Sequence, residues 1–227
     1  MADPTVVLLH GAWHRGSCWA PLQEALAERS LRSVAPDLPT DRPGLGAADY
    51  ATAVSLPEGE LVVVGHSLGG LTAPVLAARA ADRVRALVLV AAMVPEPGRS
   101  HMDLVKEDPS ILPRPIASPT RNADGTTSWS VEAALGAMYA GVPPELAEPA
   151  VARLRPQAWT VTKEVTPLQA WPAVPTTSVV CAADPMAAPE ASRRIARERG
   201  FTLRELPGDH FPMLTRPREL AEIIASA

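Results

Sequence analysis

Short apolar runs without hydrophobic–polar alternation predict the buried strands of this chain. Each run is rich in β-branched residues or leucine, which favour extended backbone on a packed surface. The lack of alternation is typical of strands covered on both faces, as in a parallel sheet. The runs are Thr5–Leu9, 61–64, 86–92 and 177–182.

Stretches with helical spacing follow most of these runs. Leu22 and Leu26, four positions apart, predict a helix over 19–29. Two further strands are predicted at 33–35 and 201–206. The alternation of strands and helices predicts an α/β fold with a mostly parallel sheet flanked by helices. The other predicted helices span 68–80, 189–199 and 213–225.

The stretch 95–172 differs from the rest, because it is rich in proline and has no strong strand signal. Two short helices are predicted within it, at 131–140 and 144–154. It lacks the continuous apolar periodicity that a core of its own would need. We therefore expect residues 1–227 to form a single α/β domain, with 95–172 as a cap insertion. Its prolines include Pro95, Pro97, Pro109, Pro113, Pro115, Pro119, Pro143 and Pro144.

A Gly-x-Ser-x-Gly motif, 65–69, carries the strongest chemical signal. A predicted strand ends at its first glycine, and a predicted helix begins just after Ser67. A sharp strand-to-helix turn of this kind presents the serine hydroxyl above the sheet as a nucleophile. The alternative is an ordinary turn with glycines, but such a turn does not require serine at its tip.

A nucleophilic serine needs a base, and the base needs an orienting acid. His66 is too close to Ser67 in the turn, His101 lies in the proline-rich stretch, and His210 follows the last predicted strand. His210 is therefore the predicted base. Asp184, at the end of the preceding strand, is the predicted acid, although a helix cap or turn residue is an alternative role for it. Asp209 competes for the acid role, but we expect it to stabilise its own turn.

The loop after the first strand is predicted to bind negative charge. Gly11 lets the backbone come close to Ser67, and the N–H groups of Ala12 and Leu68 would form an oxyanion hole. We expect His10 to organise this loop by hydrogen bonding. His14 has either a similar role or a place at the pocket entrance.

The composition restricts the class of protein. The 227 residues are 47% hydrophobic and 20% charged, which excludes an intrinsically disordered chain. The net charge of −4 gives no basic footprint for nucleic acid. The longest apolar run, 86–94, is far shorter than the ~20 residues that span a bilayer, and the first residues show no secretory signal. We expect a cytoplasmic protein, with Cys18 and Cys181 as core thiols and no metal site.

The sequence resembles the α/β-hydrolase superfamily, and within it the branch of plant methylesterases and hydroxynitrile lyases with their bacterial relatives. The resemblance runs from near the start of the chain to the final helix. It implies a six-stranded sheet, Ser67 as nucleophile, His210 as base, Asp184 as acid, and no cofactor. The matching pieces are 10–14 with Trp19, 65–70, 154–156, Asp184, and 209–210 followed by 213–214.

The first hypothesis is a serine hydrolase that cleaves a small carboxylic ester through an acyl-enzyme. The alternatives are a lyase or an acyl-transferring or polyketide-tailoring enzyme with the same triad, and a non-catalytic relative that binds a ligand. In the lyase members a lysine follows the histidine and a threonine follows the first strand, whereas this chain has Phe211 and Gly11. We expect a monomer or homodimer. The predicted pocket residues are Gly11, Trp13, His14, Phe211, Trp129 and Met138.

Overall fold

A six-stranded parallel sheet forms the centre of the computed structural model, which describes residues 3–112 and 117–227. Its strand order is β2-β1-β3-β4-β7-β8, and every neighbouring pair is parallel. The predicted α/β fold is thereby confirmed. The strands are β1 Thr5–Leu9, β2 Ser33–Val34, β3 Leu61–His66, β4 Val84–Val90, β5 Thr120–Arg121, β6 Thr127–Ser128, β7 Thr176–Cys181 and β8 Thr202–Leu206.

The four central strands are almost wholly buried, as their unbroken apolar sequences predict. Every residue of β1, β3 and β7 is buried, and Arg85 is the one exposed residue of β4. In the edge strand β8, three of the five residues are exposed and only Leu206 is buried. Because the central strands are buried on both faces, helices must cover each side of the sheet.

Helices pack on the sheet and on one another. Among the flanking helices, α1 contacts α10, α2 contacts α3, and α8 contacts β7 and β8. No helix in the described ranges is long and apolar enough to cross a bilayer. The helices are α1 Ala20–Ala27, α2 Ala47–Ala53, α3 Ala73–Arg79, α4 His101–Glu107, α5 Val131–Ala133, α6 Pro144–Val151, α7 Thr160–Lys163, α8 Pro189–Glu198, α9 Pro212–Thr215 and α10 Pro217–Ala225.

Proline divides two of the predicted helices. Instead of one helix over 68–80, a 3-10 helix at Ser67–Leu71 precedes α3, whose first turn contains Pro74. The predicted helix 213–225 is split into α9 and α10 before Pro217. Proline has no N–H to donate to the preceding turn and disfavours helical backbone in the residue before it, so each helix restarts there.

The stretch 95–172 contains more structure than its sequence predicts. Helices α4 and α7 and the β5–β6 hairpin were not predicted, and the expected helix 131–140 is a short α5 continued by a π-helical turn at Ala134–Met138. Pro113 and Pro115, counted above among its prolines, lie outside the described residues.

Candidate active site

Ser67 lies at a sharp turn between β3 and the 3-10 helix. Its φ of 51° is left-handed, a conformation that residues other than glycine rarely adopt. The turn leaves no room for side chains at its flanks. A Cβ on Gly65 would lie 2.7 Å from the Ala73 Cβ, and a Cβ on Gly69 would lie 2.5 Å from the Leu9 carbonyl oxygen. The glycines of the motif thus permit the close strand–helix packing that holds Ser67 in this conformation.

His210 and Asp184 form a buried hydrogen-bonded pair. The His210 Nδ1 lies 2.7 Å from the Asp184 Oδ2. The other carboxylate oxygen accepts the N–H groups of Met186 at 2.7 Å and Ala187 at 2.8 Å. An acceptor-only carboxylate requires the proton on Nδ1, so Nε2 is the basic nitrogen of the neutral ring.

Asp209 and His66 fix the loop that carries His210. The Asp209 Oδ1 accepts the Phe211 N–H at 2.7 Å, which is a local turn contact. The His66 Nε2 donates to the His210 carbonyl oxygen at 2.8 Å. Burial lowers the pKa of His66 well below its ordinary value, so this ring is neutral.

The loop after β1 comes into direct contact with the serine turn. A Cβ on Gly11 would lie 2.9 Å from the Ser67 Cβ and 3.0 Å from the His66 Nδ1. The Ala12 N–H has no hydrogen-bond acceptor within the described ranges, whereas the Trp13 N–H donates to the Gln157 Oε1 at 3.2 Å. Leu68, in the first turn of its helix, has an N–H without an intrahelical partner.

His10 and His14 are buried, neutral rings that stabilise this loop. The His10 Nδ1 donates to the Gly11 carbonyl oxygen at 2.9 Å, and its Nε2 accepts the Leu38 N–H at 2.9 Å. The His14 Nδ1 donates to the Ala12 carbonyl oxygen at 2.6 Å, and its Nε2 accepts the Tyr139 hydroxyl at 2.7 Å. Burial lowers the pKa of His10 to about 3 and that of His14 to about 4.

Two cavities open at Ser67. The larger, of about 330 Å³, lies between the segment that follows β4, α4 and α8, and Ser67 is one of its lining residues. The smaller, of about 20 Å³, is lined by both Ser67 and His210. Met186 lines both cavities, although no sequence signal singled it out. Of the predicted pocket residues, the small cavity brings together Gly11, Trp13, His14 and Met138.

Trp129 and Phe211 are not among the residues that line these two cavities, in the part of the chain described. Trp129 packs edge-on against Trp13, with ring centroids 5.5 Å apart. Phe211 stacks on Tyr139 at 4.3 Å. These contacts therefore pack residues of the stretch 95–172 against the loops of the site.

Arg155 connects the stretch 95–172 to the loop after β1, a role that the sequence analysis does not predict. Its side chain is buried and donates to the carbonyl oxygens of His14, at 2.8 Å, and Leu38. Its backbone N–H donates to the Trp13 carbonyl oxygen at 2.9 Å. A buried guanidinium with several acceptors fixes the position of the loop that contains Gly11 and Ala12.

The chain belongs to the alpha/beta hydrolase family, whose model matches residues 6–223. It is 32% identical over 109 residues to a pyrethroid hydrolase of Sphingobium wenxiniae, covering 43% of this chain and 39% of the relative. It is 31% identical over 128 residues to a carbendazim hydrolyzing esterase of a Nocardioides species, covering 49% and 50%. It is 33% identical over 129 residues to methylesterase 2 of Arabidopsis thaliana, covering 49% and 45%. The matched segment thus spans half or less of each relative's length.

Solved structures resemble nearly the whole chain. A pyrethroid hydrolase from Sphingobium faniae JZ-2 superposes with a TM-score of 0.78 at 24% identity, over 98% of this chain and 96% of that one. Polyneuridine aldehyde esterase superposes with a TM-score of 0.79 at 19% identity, over 99% of both chains. At these identities the likeness establishes the fold alone.

Proposed function

We propose that the protein is a serine hydrolase that cleaves small carboxylic esters, with Ser67 as nucleophile, His210 as base and Asp184 as orienting acid. The observation that carries the proposal is the left-handed Ser67 on a cavity shared with His210, whose Nδ1 is bound to Asp184. We further propose that 95–172 acts as a cap over this site within a single domain.

In the proposed first half-reaction, the Ser67 Oγ attacks the ester carbonyl carbon while its proton moves to the His210 Nε2. The carbonyl electron pair moves onto its oxygen, which the N–H groups of Ala12 and Leu68 stabilise. As the pair returns, the bond to the alkoxide breaks and His210 protonates the departing alcohol. Asp184 stabilises the imidazolium without taking its proton.

In the second half-reaction, His210 takes a proton from water, whose oxygen attacks the acyl-enzyme carbonyl. The tetrahedral intermediate collapses, the Ser67 Oγ recovers its proton from His210, and the carboxylic acid leaves. Each proton transferred in this cycle passes through the imidazole of His210.

The names of the relatives support an ester substrate. Two of them are called esterases or methylesterases, and the pyrethroid hydrolase is named for a hydrolytic reaction. We extend only this shared chemistry to the present chain. The larger cavity, of about 330 Å³, suits an ester at the lower end of the usual range of ligand pockets.

Cyanohydrin cleavage is the second candidate, because the resembling branch includes hydroxynitrile lyases. Two positions favour hydrolysis over that reaction. Phe211 follows His210, so no cation lies next to the base in sequence, and a threonine at Gly11 would bring its Cβ within 2.9 Å of the Ser67 Cβ. We expect negligible cyanide release from mandelonitrile. Cyanide release that depends on Ser67, without ester turnover, would instead favour the lyase.

A panel of p-nitrophenyl esters, from acetate to octanoate, tests the proposal. We expect turnover by the wild-type protein and a loss of about 10⁴-fold or more in kcat for Ser67→Ala, because triad residues act as a unit. Ser192→Ala is the matched control, since it removes a hydroxyl that lines the same larger cavity. Equal turnover by wild type and Ser67→Ala would overturn the proposal.

A further inference from the structure

Met186 lies at the junction of the two cavities that open at Ser67. In the described part of the chain, Ser67 and Met186 alone line both of them. Ser67 is the proposed nucleophile, whereas the reaction above assigns no role to the Met186 side chain. This residue is only partly buried, so part of its surface faces open space. The Met186 side chain is therefore a wall that the two cavities share, beside the reacting hydroxyl.

The two cavities differ in volume and in the catalytic groups that line them. The small one, of about 20 Å³, is lined by His210 and by Ala12, the proposed donor to the oxyanion. A cavity of this volume holds a group about the size of one water molecule. The larger one, of about 330 Å³, has neither residue in its described lining. The scissile carbonyl must therefore lie in the small cavity, and a long group attached to it must pass Met186 to reach the larger one.

Other walls of the small cavity are held more firmly than the Met186 side chain. Both ring nitrogens of His14 are hydrogen-bonded, the His210 Nδ1 is bound to Asp184, and Met138 is only 2% exposed. The Met186 backbone is also fixed, because its N–H donates to the Asp184 Oδ1 at 2.7 Å. Its side chain, however, is unbranched and has three rotatable bonds. The size of the small cavity therefore depends most directly on this side chain.

We propose that Met186 is a specificity-determining residue, which restricts the substrates to esters with one short group. Its side chain confines the group on one side of the scissile carbonyl, acyl or alcohol, to about the size of a methyl. The group on the other side extends into the larger cavity. This inference rests on the proposed ester hydrolysis, because it assigns a place to each part of the ester at Ser67.

Three alkyl esters test the proposal. Methyl butanoate has a short alcohol, butyl acetate has a short acyl group, and butyl butanoate has a long group on both sides. A pH-indicator assay follows the acid released from each ester. The measured quantity is the kcat/KM of butyl butanoate, divided by that of whichever other ester the wild type cleaves faster. Because the same two esters are compared in every variant, the difference in their intrinsic reactivity cancels.

We expect the wild type to disfavour butyl butanoate by about tenfold or more, because the small cavity excludes a second long group. Met186→Ala joins the cavities while keeping the N–H that Asp184 accepts, so it should raise the ratio by about tenfold. Met186→Leu conserves the apolar volume and should keep the wild-type ratio. Met93→Ala is the matched control and should also keep it, because Met93 lines only the larger cavity. Equal ratios in wild type and Met186→Ala would overturn the proposal.

A binding measurement separates this inference from the proposed reaction and needs neither turnover nor Met186→Ala. In Ser67→Ala protein with ¹³C-labelled methionine methyl groups, Met93 reports on the larger cavity and Met138 on the small one. An ester with one short group should shift both resonances, whereas butyl butanoate should shift Met93 but not Met138. Shifts of both by butyl butanoate, or no shift by any of the three esters, would contradict the role of Met186. Absence of ester turnover by the wild type, together with the expected shifts, would refute the esterase and retain the division of the site by Met186.

Discussion

Acidification should destabilise the fold through histidines that are buried in the neutral form, and His14 is the best-defined case. Its Nδ1 donates to a carbonyl oxygen and its Nε2 accepts a hydroxyl, which only a neutral ring can do. Burial lowers the His14 pKa from 6.5 to about 4 in the folded state. At pH values between about 4 and 6.5, the His14 ring is therefore protonated in the unfolded chain but not in the folded chain. Stability is therefore lost as pH falls below 6.5.

The magnitude follows from the two pKa values. On going from about pH 7.5 to about pH 5, the unfolded state gains about 2 kcal/mol from protonation of this one ring. His14→Gln removes the titration. It also removes two hydrogen bonds, so near pH 7.5 the variant should be less stable than wild type by roughly 1–3 kcal/mol.

Urea unfolding of both proteins at the two pH values measures the effect. We expect the gap in unfolding free energy between wild type and His14→Gln to shrink by about 2 kcal/mol at the lower pH. Protonation of other buried histidines affects both proteins equally and cancels in this difference. A gap that is the same at both pH values would refute the reasoning, because His14 would then bind protons equally in both states.

Two further predictions concern the candidate active site. Asp184→Asn should lower kcat by about 10³–10⁴-fold, because the imidazole loses its orienting acceptor. Asp209→Asn should retain most activity, because it keeps an oxygen that accepts the Phe211 N–H. Steady-state kinetics that rank the two variants in the opposite order would contradict the assignment of the acid. Gly11→Ala should lower kcat by about 10²-fold, because the added Cβ would displace Ser67. Gly136→Ala is the control and should leave kcat unchanged, because an added Cβ there meets no atom within 4 Å. Equal kcat values in these two variants would contradict the close contact between Gly11 and Ser67.

The strands of the sheet could be predicted from the sequence because parallel strands buried on both faces need unbroken apolar runs. Thr5–Leu9 agrees with β1 residue for residue, and β3 and β4 differ from their predictions by two residues at one or both ends. Helix ends were less predictable where proline intervenes, as at Pro74 and Pro217. The β5–β6 hairpin has two residues in each strand, and α7 has four residues, so contacts across the cap, not local sequence, decide their structure.

The candidate site also has residues that could be predicted from the sequence and residues that could not. Ser67, Asp184 and His210 each follow a recognisable strand, and the carboxyl ends of parallel strands meet at one edge of the sheet. The pocket was harder to predict, because the face that a cap side chain presents depends on how the cap docks. Trp129, for example, packs on Trp13 and is not among the residues that line either cavity.

Mass spectrometry of the protein after reaction with diethyl p-nitrophenyl phosphate tests the central claim most directly. An activated serine displaces p-nitrophenolate and retains a diethylphosphoryl group, so the proposed site predicts one adduct per chain, located on Ser67 by peptide mapping. His210→Ala, which lacks the base, should form this adduct much more slowly. An unmodified Ser67 in active wild-type protein, or an adduct on another residue that accompanies loss of ester turnover, would contradict the assignment of Ser67 as the nucleophile.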